Sequence, residues 1–253
     1  MHDIIIYHLI EQLHTIGLEC GDVVMVHSSF KSLGIQDPEV IILALLETLG
    51  ETGTLFMPAL SYLQKPPNIH DTNLTSSCVG FLSEYFRCRA GTQRSLHPTH
   101  SVCGVGKLAN DWLDDHIHDN TPCGTHSPFN KLLHQQGKIL MIGCGLEPNT
   151  TMHAIEEYIQ PAYLFDSPQT YTITDSQRKT FKKVYIPHNF WGGKAIQRYD
   201  RVEGKLNEAA LFPGILGNAK AYLIQAEALY QAALECLRLD PFYFIELGPE
   251  TSS

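Results

Sequence analysis

Apolar residues recur along the 253-residue chain at two alternating spacings, one typical of helices and one typical of buried strands. Ile5, Leu9 and Leu13 recur every four residues and predict a first helix over 4–16, which Gly17 ends. Short apolar runs bounded by glycine, proline or small polar residues predict buried strands. The predicted strands are 21–30, 53–60 and 137–145. Helices that alternate with strands over short links favour a layered α/β fold.

Capping and breaking residues predict where further helices begin and end. Asp37 followed by Pro38 predicts a helix start, and Gly50 closes that helix. The alanine-rich stretch 217–240 predicts one long helix. Shorter helices are predicted over about 79–89, in the second half of 114–137, and from about 150 to just before Pro161.

The remaining segments are less regular. Residues 61–76 are polar and show no period, so they are interpreted as a long loop, and loops of that length are often functional. The predicted β-like pieces elsewhere are 169–174 and 182–187. No Gly/Ser linker, repeat or low-complexity tract divides the chain. We therefore expect one domain over 1–253 with an irregular insertion over about 162–217.

The composition narrows the class of protein. The 18 Lys and Arg residues against 27 Asp and Glu give a net charge of −9, which does not support nucleic-acid binding and suits a cationic small substrate. The seven cysteines are scattered without a C-x-x-C pair, which favours reduced thiols. No apolar stretch approaches the ~20 residues that cross a bilayer, and the N-terminus lacks the basic region of a signal peptide. We expect a soluble, cytoplasmic protein without a membrane partner; the oligomeric state stays open.

The stretch "PNTTMHAIEEY" places candidate chemistry at a predicted helix start. Asn149 or Thr150 is a suitable N-cap, which puts His153 in the first turn. There the positive end of the helix dipole disfavours a second proton, and a neutral imidazole suits a general base. Glu156 or Glu157 could orient the ring, and the spacing leaves that choice open. The alternative interpretation is a half-buried histidine with an incidental ion pair.

A second candidate follows the first predicted strand, in "VHSSF". His27, Ser28 and Ser29 come at the carboxyl end of that strand, where α/β folds commonly build sites. Hydroxyls and free backbone N–H groups there could hold a phosphate or an oxyanion, and an ordinary strand-end turn is the alternative. The G-x-S-x-G elbow of a serine nucleophile is absent, and no G-x-x-x-x-G-K-[ST] or G-x-G-x-x-G loop supports nucleotide binding.

Four further residues are of the types that bind zinc. They are His97, His100, Cys123 and His126. No H-E-x-x-H motif accompanies them, and the C-x-x-H pair is not a familiar zinc spacing. A zinc-dependent hydrolase is therefore kept only as an alternative from another class of protein.

Taken in order, these motifs resemble those of the aminoglycoside 3-N-acetyltransferase family, the antibiotic N-acetyltransferases that use acetyl-CoA. The matching stretches include "VVMVHSSFKSLG", "GTLFMPALSY", "RSLHPTHSV" and "NTTMHAIEE", and they run from about residue 20 to 237 in the family's order. The resemblance implies a layered α/β/α sheet domain, distinct from the Gcn5-type acetyltransferase fold. It also implies direct acetyl transfer to a primary amine, with acetyl-CoA as co-substrate, no covalent enzyme intermediate and no metal.

The resemblance assigns roles to individual residues. His153 takes a proton from the attacking amine, Glu156 holds the ring, and Thr150 begins the matching T-x-x-H-x-x-E motif. The implied cofactor contacts are His27, Ser28, Ser29, Lys31, Arg94, His97, Ser101 and Phe129. The implied acceptor contacts are Asp71, Glu84 and Glu203. We expect the acceptor to be the 3-amino group of a 2-deoxystreptamine antibiotic, and an amino sugar or other small amine of polysaccharide or metabolite synthesis is the alternative.

Overall fold

Helices and strands alternate in the computed structural model, which describes residues 2–64 and 66–248. The helices are α1 (His2–Ile16), α2 (Pro38–Leu49), α3 (Phe81–Cys88), α4 (Ala109–Asp115), α5 (Pro128–His134), α6 (Met152–Ile159), the short α7 (Phe190–Gly193) and α8 (Ala226–Leu239). The strands are β1 (Val23–Ser28), β2 (Thr54–Pro58), β3 (Ile69–Asp71), β4 (Gln93–Arg94), β5 (Val102–Gly106), β6 (Lys138–Ile142), β7 (Gln169–Thr174), β8 (Thr180–Tyr185), β9 (Ala195–Gln197), β10 (Leu211–Leu216), β11 (Ala219–Gln225) and β12 (Ile245–Leu247).

A seven-stranded mixed sheet forms the centre of the fold, in the order β10-β11-β6-β1-β2-β5-β4. The middle strands β6, β1 and β2 are parallel, and the outer pairs are antiparallel. Ser28 pairs in register with Ile142, so β1 and β6 end at the same edge of the sheet. The carboxyl ends of parallel strands are where open α/β sheets commonly bind ligands.

Helices cover both faces of this sheet. Successive strand residues point to opposite faces, so Met25 packs with α4, α5, α6 and α8, whereas its neighbours Val24 and Val26 pack with α1, α2 and α3. In β2, Phe56 packs on the same face as Met25, and Leu55 packs on the opposite face with Val24 and Val26. The predicted layered α/β/α architecture is confirmed.

The prediction of one helix over 217–240 is wrong in its first part. Residues 219–225 form β11, which pairs antiparallel with both β6 and β10, and the helix begins only at Ala226. Ala219, Ala221 and Leu223 are buried and Lys220 between them is exposed, which is the alternation of a strand. Pairing with two neighbouring strands overrides the helix propensity of alanine.

Two smaller sheets lie outside the main one. Strand β3 forms inside the predicted long loop and pairs with β7, which pairs with β8; β9 pairs with β12. The predicted irregular region also ends early, because 211–216 is β10 of the main sheet. Within the described ranges 2–64 and 66–248, no helix is both long and apolar enough to cross a membrane.

Candidate active site

A cleft of about 830 Å³ opens at the sheet edge where the parallel strands end. Its walls come from the segments that follow β2 and β6, from the turn that precedes β5, and from residues 188–199. Tyr62, His100, Thr150 and His153 line it. Side chains that lie far apart along the chain meet here because their strands share one edge.

The start of α6 positions His153 through a local hydrogen-bond pattern. The side-chain oxygen of Asn149 accepts the backbone N–H of Thr151 at 3.1 Å, so Asn149 holds the turn that leads into α6. The backbone N–H of His153 then bonds to the carbonyl of Thr150 at 3.0 Å, which makes the first turn tight. His153 therefore sits at the helix start with its side chain 12% exposed to the cleft.

Glu156 contacts the ring of His153 from one turn further along α6. Nδ1 of His153 lies 3.0 Å from Oε2 of Glu156, whose side chain is fully buried. The same carboxylate accepts hydrogen bonds from the hydroxyls of Tyr163 at 2.7 Å and Tyr199 at 2.6 Å. Burial raises the pKa of both phenols, so they stay protonated and donate. Two phenol donors thus fix this carboxylate behind the imidazole, and the hydroxyl of Tyr199 also lies 2.8 Å from Nδ1 of His153.

Glu157 contacts a second histidine, His188, and not His153. Its Oε1 lies 2.8 Å from Nε2 of His188, and it also accepts the backbone N–H of Cys123 at 2.6 Å. The side chain of His188 is 2% exposed, and its Nδ1 is buried without a partner. Burial, with the neighbouring His153, lowers the pKa of His188, whereas burial raises the pKa of Glu157 to about 7. The spacing left Glu156 and Glu157 open as partners of His153, and the structure gives each its own histidine.

His100 brings a third imidazole to the cleft. Its Nδ1 contacts the hydroxyl of Thr99 at 2.9 Å, and its backbone N–H donates to Nδ1 of His97 at 3.0 Å. His97 is fully buried and its ring stacks on the ring of His116, so it stabilises the turn that carries His100. The ring centroids of His100, His153 and His188 lie 5.0–5.9 Å apart.

The four zinc-type residues named from the sequence do not form one site. His126 pairs with Asp119 at 3.0 Å, and Cys123 is buried beneath Glu157, where burial raises the pKa of its thiol. Among the described residues, only His100 of that set belongs to a group of three possible metal ligands.

The predicted cofactor contacts divide into two sets. His27 and Ser28 end β1 at the same sheet edge, Ser29 follows directly, and Lys31 is exposed just beyond. His27 is buried, Nε2 of its ring has no partner, and burial, followed by the charge of His153, lowers its pKa to about 3. Their assignment to the cofactor stays a prediction.

The other four predicted cofactor contacts lie in the interior. The guanidinium of Arg94 donates to the hydroxyl of Ser101 at 2.8 Å and to the backbone carbonyls of three further residues, and burial lowers its pKa to about 10. Phe129 is fully buried in the core, and His97 supports the turn described above. These contacts give all four a structural role and leave them off the cleft wall.

The predicted acceptor contacts also lie away from the cleft. Asp71 pairs with Arg178 at 2.6 Å, Glu84 with an arginine one turn along α3, and Glu203 is exposed outside the lining. Among the described lining residues the one carboxylate is Glu147, which the sequence did not single out.

The sequence profile of the family described as "Aminoglycoside 3-N-acetyltransferase" matches residues 25–238. Aminoglycoside N(3)-acetyltransferase IV of Salmonella sp. is 31% identical over 243 residues, covering 94% of this chain and 88% of that protein. Aminoglycoside N(3)-acetyltransferase VII of Streptomyces paromomycinus is 31% identical over 229 residues, covering 81% of this chain and 74% of that protein.

Solved structures share the fold. A mutant of aminoglycoside acetyltransferase AAC(3)-IVa in complex with gentamicin matches with a TM-score of 0.76 at 28% identity, covering 94% of this chain and 90% of that one. AAC-IIIb in a binary complex with CoASH matches with a TM-score of 0.80 at 24% identity, covering 97% and 98%. The family match and these relatives define the protein as an acyltransferase. The chain belongs to the aminoglycoside 3-N-acetyltransferase family.

Proposed function

We propose that the protein transfers the acetyl group of acetyl-CoA to the 3-amino group of a 2-deoxystreptamine aminoglycoside, with His153 as general base. One observation carries the proposal: Nδ1 of His153 faces the buried carboxylate of Glu156 at 3.0 Å, and the ring lines the cleft. An ionised carboxylate accepts but cannot donate, so Nδ1 carries the proton and Nε2 keeps its lone pair. Nε2 is therefore the atom that takes a proton from an amine in the cleft.

The reaction proceeds in one ternary complex. As the amine nitrogen attacks the thioester carbonyl carbon, one of its protons passes to Nε2 of His153. Glu156 stabilises the imidazolium that forms, since a hydrogen bond to a charged partner contributes about 1.5–3 kcal/mol. The C–S bond then breaks, and the departing CoA sulfur takes the proton from the imidazolium.

The thiols near the site favour direct transfer over a covalent enzyme intermediate. Cys144 lines the cleft, but burial raises the pKa of its thiol to about 11. The thiolate is the nucleophilic form of cysteine, so Cys144 stays unreactive at neutral pH. Cys123 is fully buried, and burial raises the pKa of its thiol as well.

Acetyl-CoA as donor and an aminoglycoside as acceptor are supported by the relatives crystallised with CoASH and with gentamicin. We propose that the acyl donor enters beside Ser28 and Ser29, where β1 ends next to the cleft. Arg94, His97, Ser101 and Phe129 are not part of this proposal, because internal contacts occupy them or the core buries them.

The acceptor carries positive charge, which a net charge of −9 attracts. Glu147 lies exposed on the cleft wall and is our candidate for pairing with an ammonium group. A smaller amine, such as an amino sugar, is the second candidate, because Glu147 is the one carboxylate of the described lining residues and a polycation would use several.

We propose that the protein works in the cytoplasm. All seven cysteines are unpaired, and thiols persist unpaired in reducing compartments. Fractionation of the native organism tests this placement, and recovery of the protein from an oxidising compartment would contradict it.

The acceptor is tested by thiol release from acetyl-CoA across a panel of aminoglycosides and amino sugars. Release with 2-deoxystreptamine antibiotics, and NMR assignment of the acetyl group to the 3-amino position, is the expected result. Release with amino sugars alone would contradict the proposed acceptor while keeping the reaction. Glu147→Gln should raise KM for a cationic acceptor at nearly constant kcat.

A further inference from the structure

Each of the three imidazoles around the cleft has one nitrogen engaged and one left over. Nδ1 of His153 faces Glu156 at 3.0 Å, and Nε2 of His188 faces Glu157 at 2.8 Å. Nδ1 of His100 contacts the hydroxyl of the preceding threonine at 2.9 Å. The nitrogens left over are Nε2 of His100, Nε2 of His153 and Nδ1 of His188.

The three rings also have the mutual arrangement of a ligand set. One ring nitrogen of each histidine lies within 4.8 Å of one ring nitrogen of each of the other two. The ring planes meet at 70–74°, so no ring stacks face to face on another. Tetrahedral Zn²⁺ with Zn–N bonds of about 2.1 Å separates its ligand atoms by about 3.4 Å. The separations between these ligand atoms must therefore shorten by at most about 1.4 Å, the difference between 4.8 and 3.4 Å.

The contacts around the three rings favour a bound cation. Nδ1 of His188 is buried without a partner, a costly state that a metal bond would relieve. Histidine ligands commonly donate their other N–H to a carboxylate, which is the role that Glu156 and Glu157 have here.

We propose that His100, His153 and His188 form a binding site for a divalent transition metal, foremost Zn²⁺, and that metal bound there inhibits acetyl transfer. Inhibition follows because the metal occupies Nε2 of His153, the atom that accepts the proton of the amine. The inhibition rests on the proposed function, whereas the metal binding does not.

Metal binding is measured first, on the full chain without acyl donor or acceptor. Calorimetric titration with Zn²⁺ should show one site, and Ni²⁺, which imidazole also binds, separates this site from binding to thiols. His188→Asn and His100→Asn should each weaken binding at least tenfold. Glu157→Gln retains all three ligands and should weaken binding about 10–100-fold through His188. His126→Asn, which changes a half-exposed histidine outside the cleft, is the matched control and should bind as the native protein does.

Circular dichroism and thermal unfolding confirm that each variant folds. No binding to the native protein, or equal affinity in the native, His188→Asn and His100→Asn proteins, would overturn the proposed site. Loss of binding in His126→Asn alone would place the metal elsewhere and overturn it too.

The activity assay then tests inhibition. Zn²⁺ should suppress thiol release by the native protein, a chelator should restore it, and His188→Asn should resist Zn²⁺ in proportion to its weakened binding. Stimulation by Zn²⁺, or equal inhibition of both proteins, would overturn the inhibitory role. A native protein that binds Zn²⁺ but acetylates no amine would support the metal site and refute the proposed function.

Discussion

Replacing Glu156 with glutamine tests how the charge behind His153 contributes to acetyl transfer. The substitution preserves the shape of a fully buried side chain that contacts His153, Tyr163 and Tyr199. The hydroxyl of Tyr163 can accept as well as donate, so the amide can turn its nitrogen to Tyr163 and its oxygen to His153. The tautomer of His153 then survives, and only the charge is lost.

The size of the effect follows from that loss of charge. A hydrogen bond to a charged group contributes about 1.5–3 kcal/mol, and a neutral one about 0.5–1.5 kcal/mol. The difference of about 1–2 kcal/mol applies when the ring is an imidazolium, and about 1.4 kcal/mol corresponds to a factor of ten. We therefore expect Glu156→Gln to lower the rate of the chemical step by roughly 5–30-fold.

Single-turnover acetyl transfer measures this step directly, with thiol release as the signal. Tyr163→Phe is the matched control, because it removes a donor to the far oxygen of Glu156 and leaves the contact with His153 in place. Its rate should fall less than that of Glu156→Gln. Native rates in Glu156→Gln, or a change confined to KM, would refute the role given to this carboxylate.

Three further predictions concern stability. Burial lowers the pKa of three histidines from 6.5 to about 3; they are His27, His70 and His116. Below pH 6.5 these side chains therefore take up protons in the unfolded chain but not in the folded one. Between pH 7 and pH 5.5 each of these histidines should lower the free energy of unfolding by about 1.2 kcal/mol. Glu157, whose pKa burial raises to about 7, should raise it by about 1.6 kcal/mol over the same window, so the net change from these four groups is a loss of about 2 kcal/mol. Equal denaturant midpoints at both pH values would contradict this loss. Gly143→Ala should lower the free energy of unfolding by about 2–4 kcal/mol, because φ at this position is +64° and the new Cβ would lie 1.7 Å from Oγ of Ser32. Thermal unfolding measures this loss, and an unchanged Tm would refute the prediction. Asn149→Ala removes the hydrogen bond that holds the turn before α6 and should lower the free energy of unfolding by about 1 kcal/mol in denaturant unfolding; an unchanged value would show that this bond does not stabilise the turn.

The central layers could be predicted because the local patterns and the tertiary contacts agree there. Apolar runs between turns predicted β1 and β6, and capping residues predicted both α2 and the helix that carries His153. The same stretch predicted the contact between His153 and Glu156 once the resemblance had chosen between the two carboxylates. Where local and long-range preferences compete, as over 219–225, strand pairing decided the structure.

The rest of the site comes from contacts that leave no local pattern. His188 and Tyr199 reach His153 from an irregular segment more than thirty residues further along the chain. The resemblance implied Arg94 as a cofactor contact, yet its guanidinium donates to oxygens inside the fold. A sequence does not show which internal partners a charged side chain will find. A buried nitrogen without a hydrogen-bond partner, such as Nδ1 of His188, can be recognised only in the folded structure, because its partners would come from distant segments.

Thiol release from acetyl-CoA by the native protein and by His153→Ala, with CoA affinity measured on both, tests the general base most directly. We predict that turnover of an aminoglycoside falls by about 100-fold or more in His153→Ala while CoA affinity stays nearly unchanged. Turnover that persists in His153→Ala would contradict the general base, and lost CoA binding would show that His153 holds the donor instead.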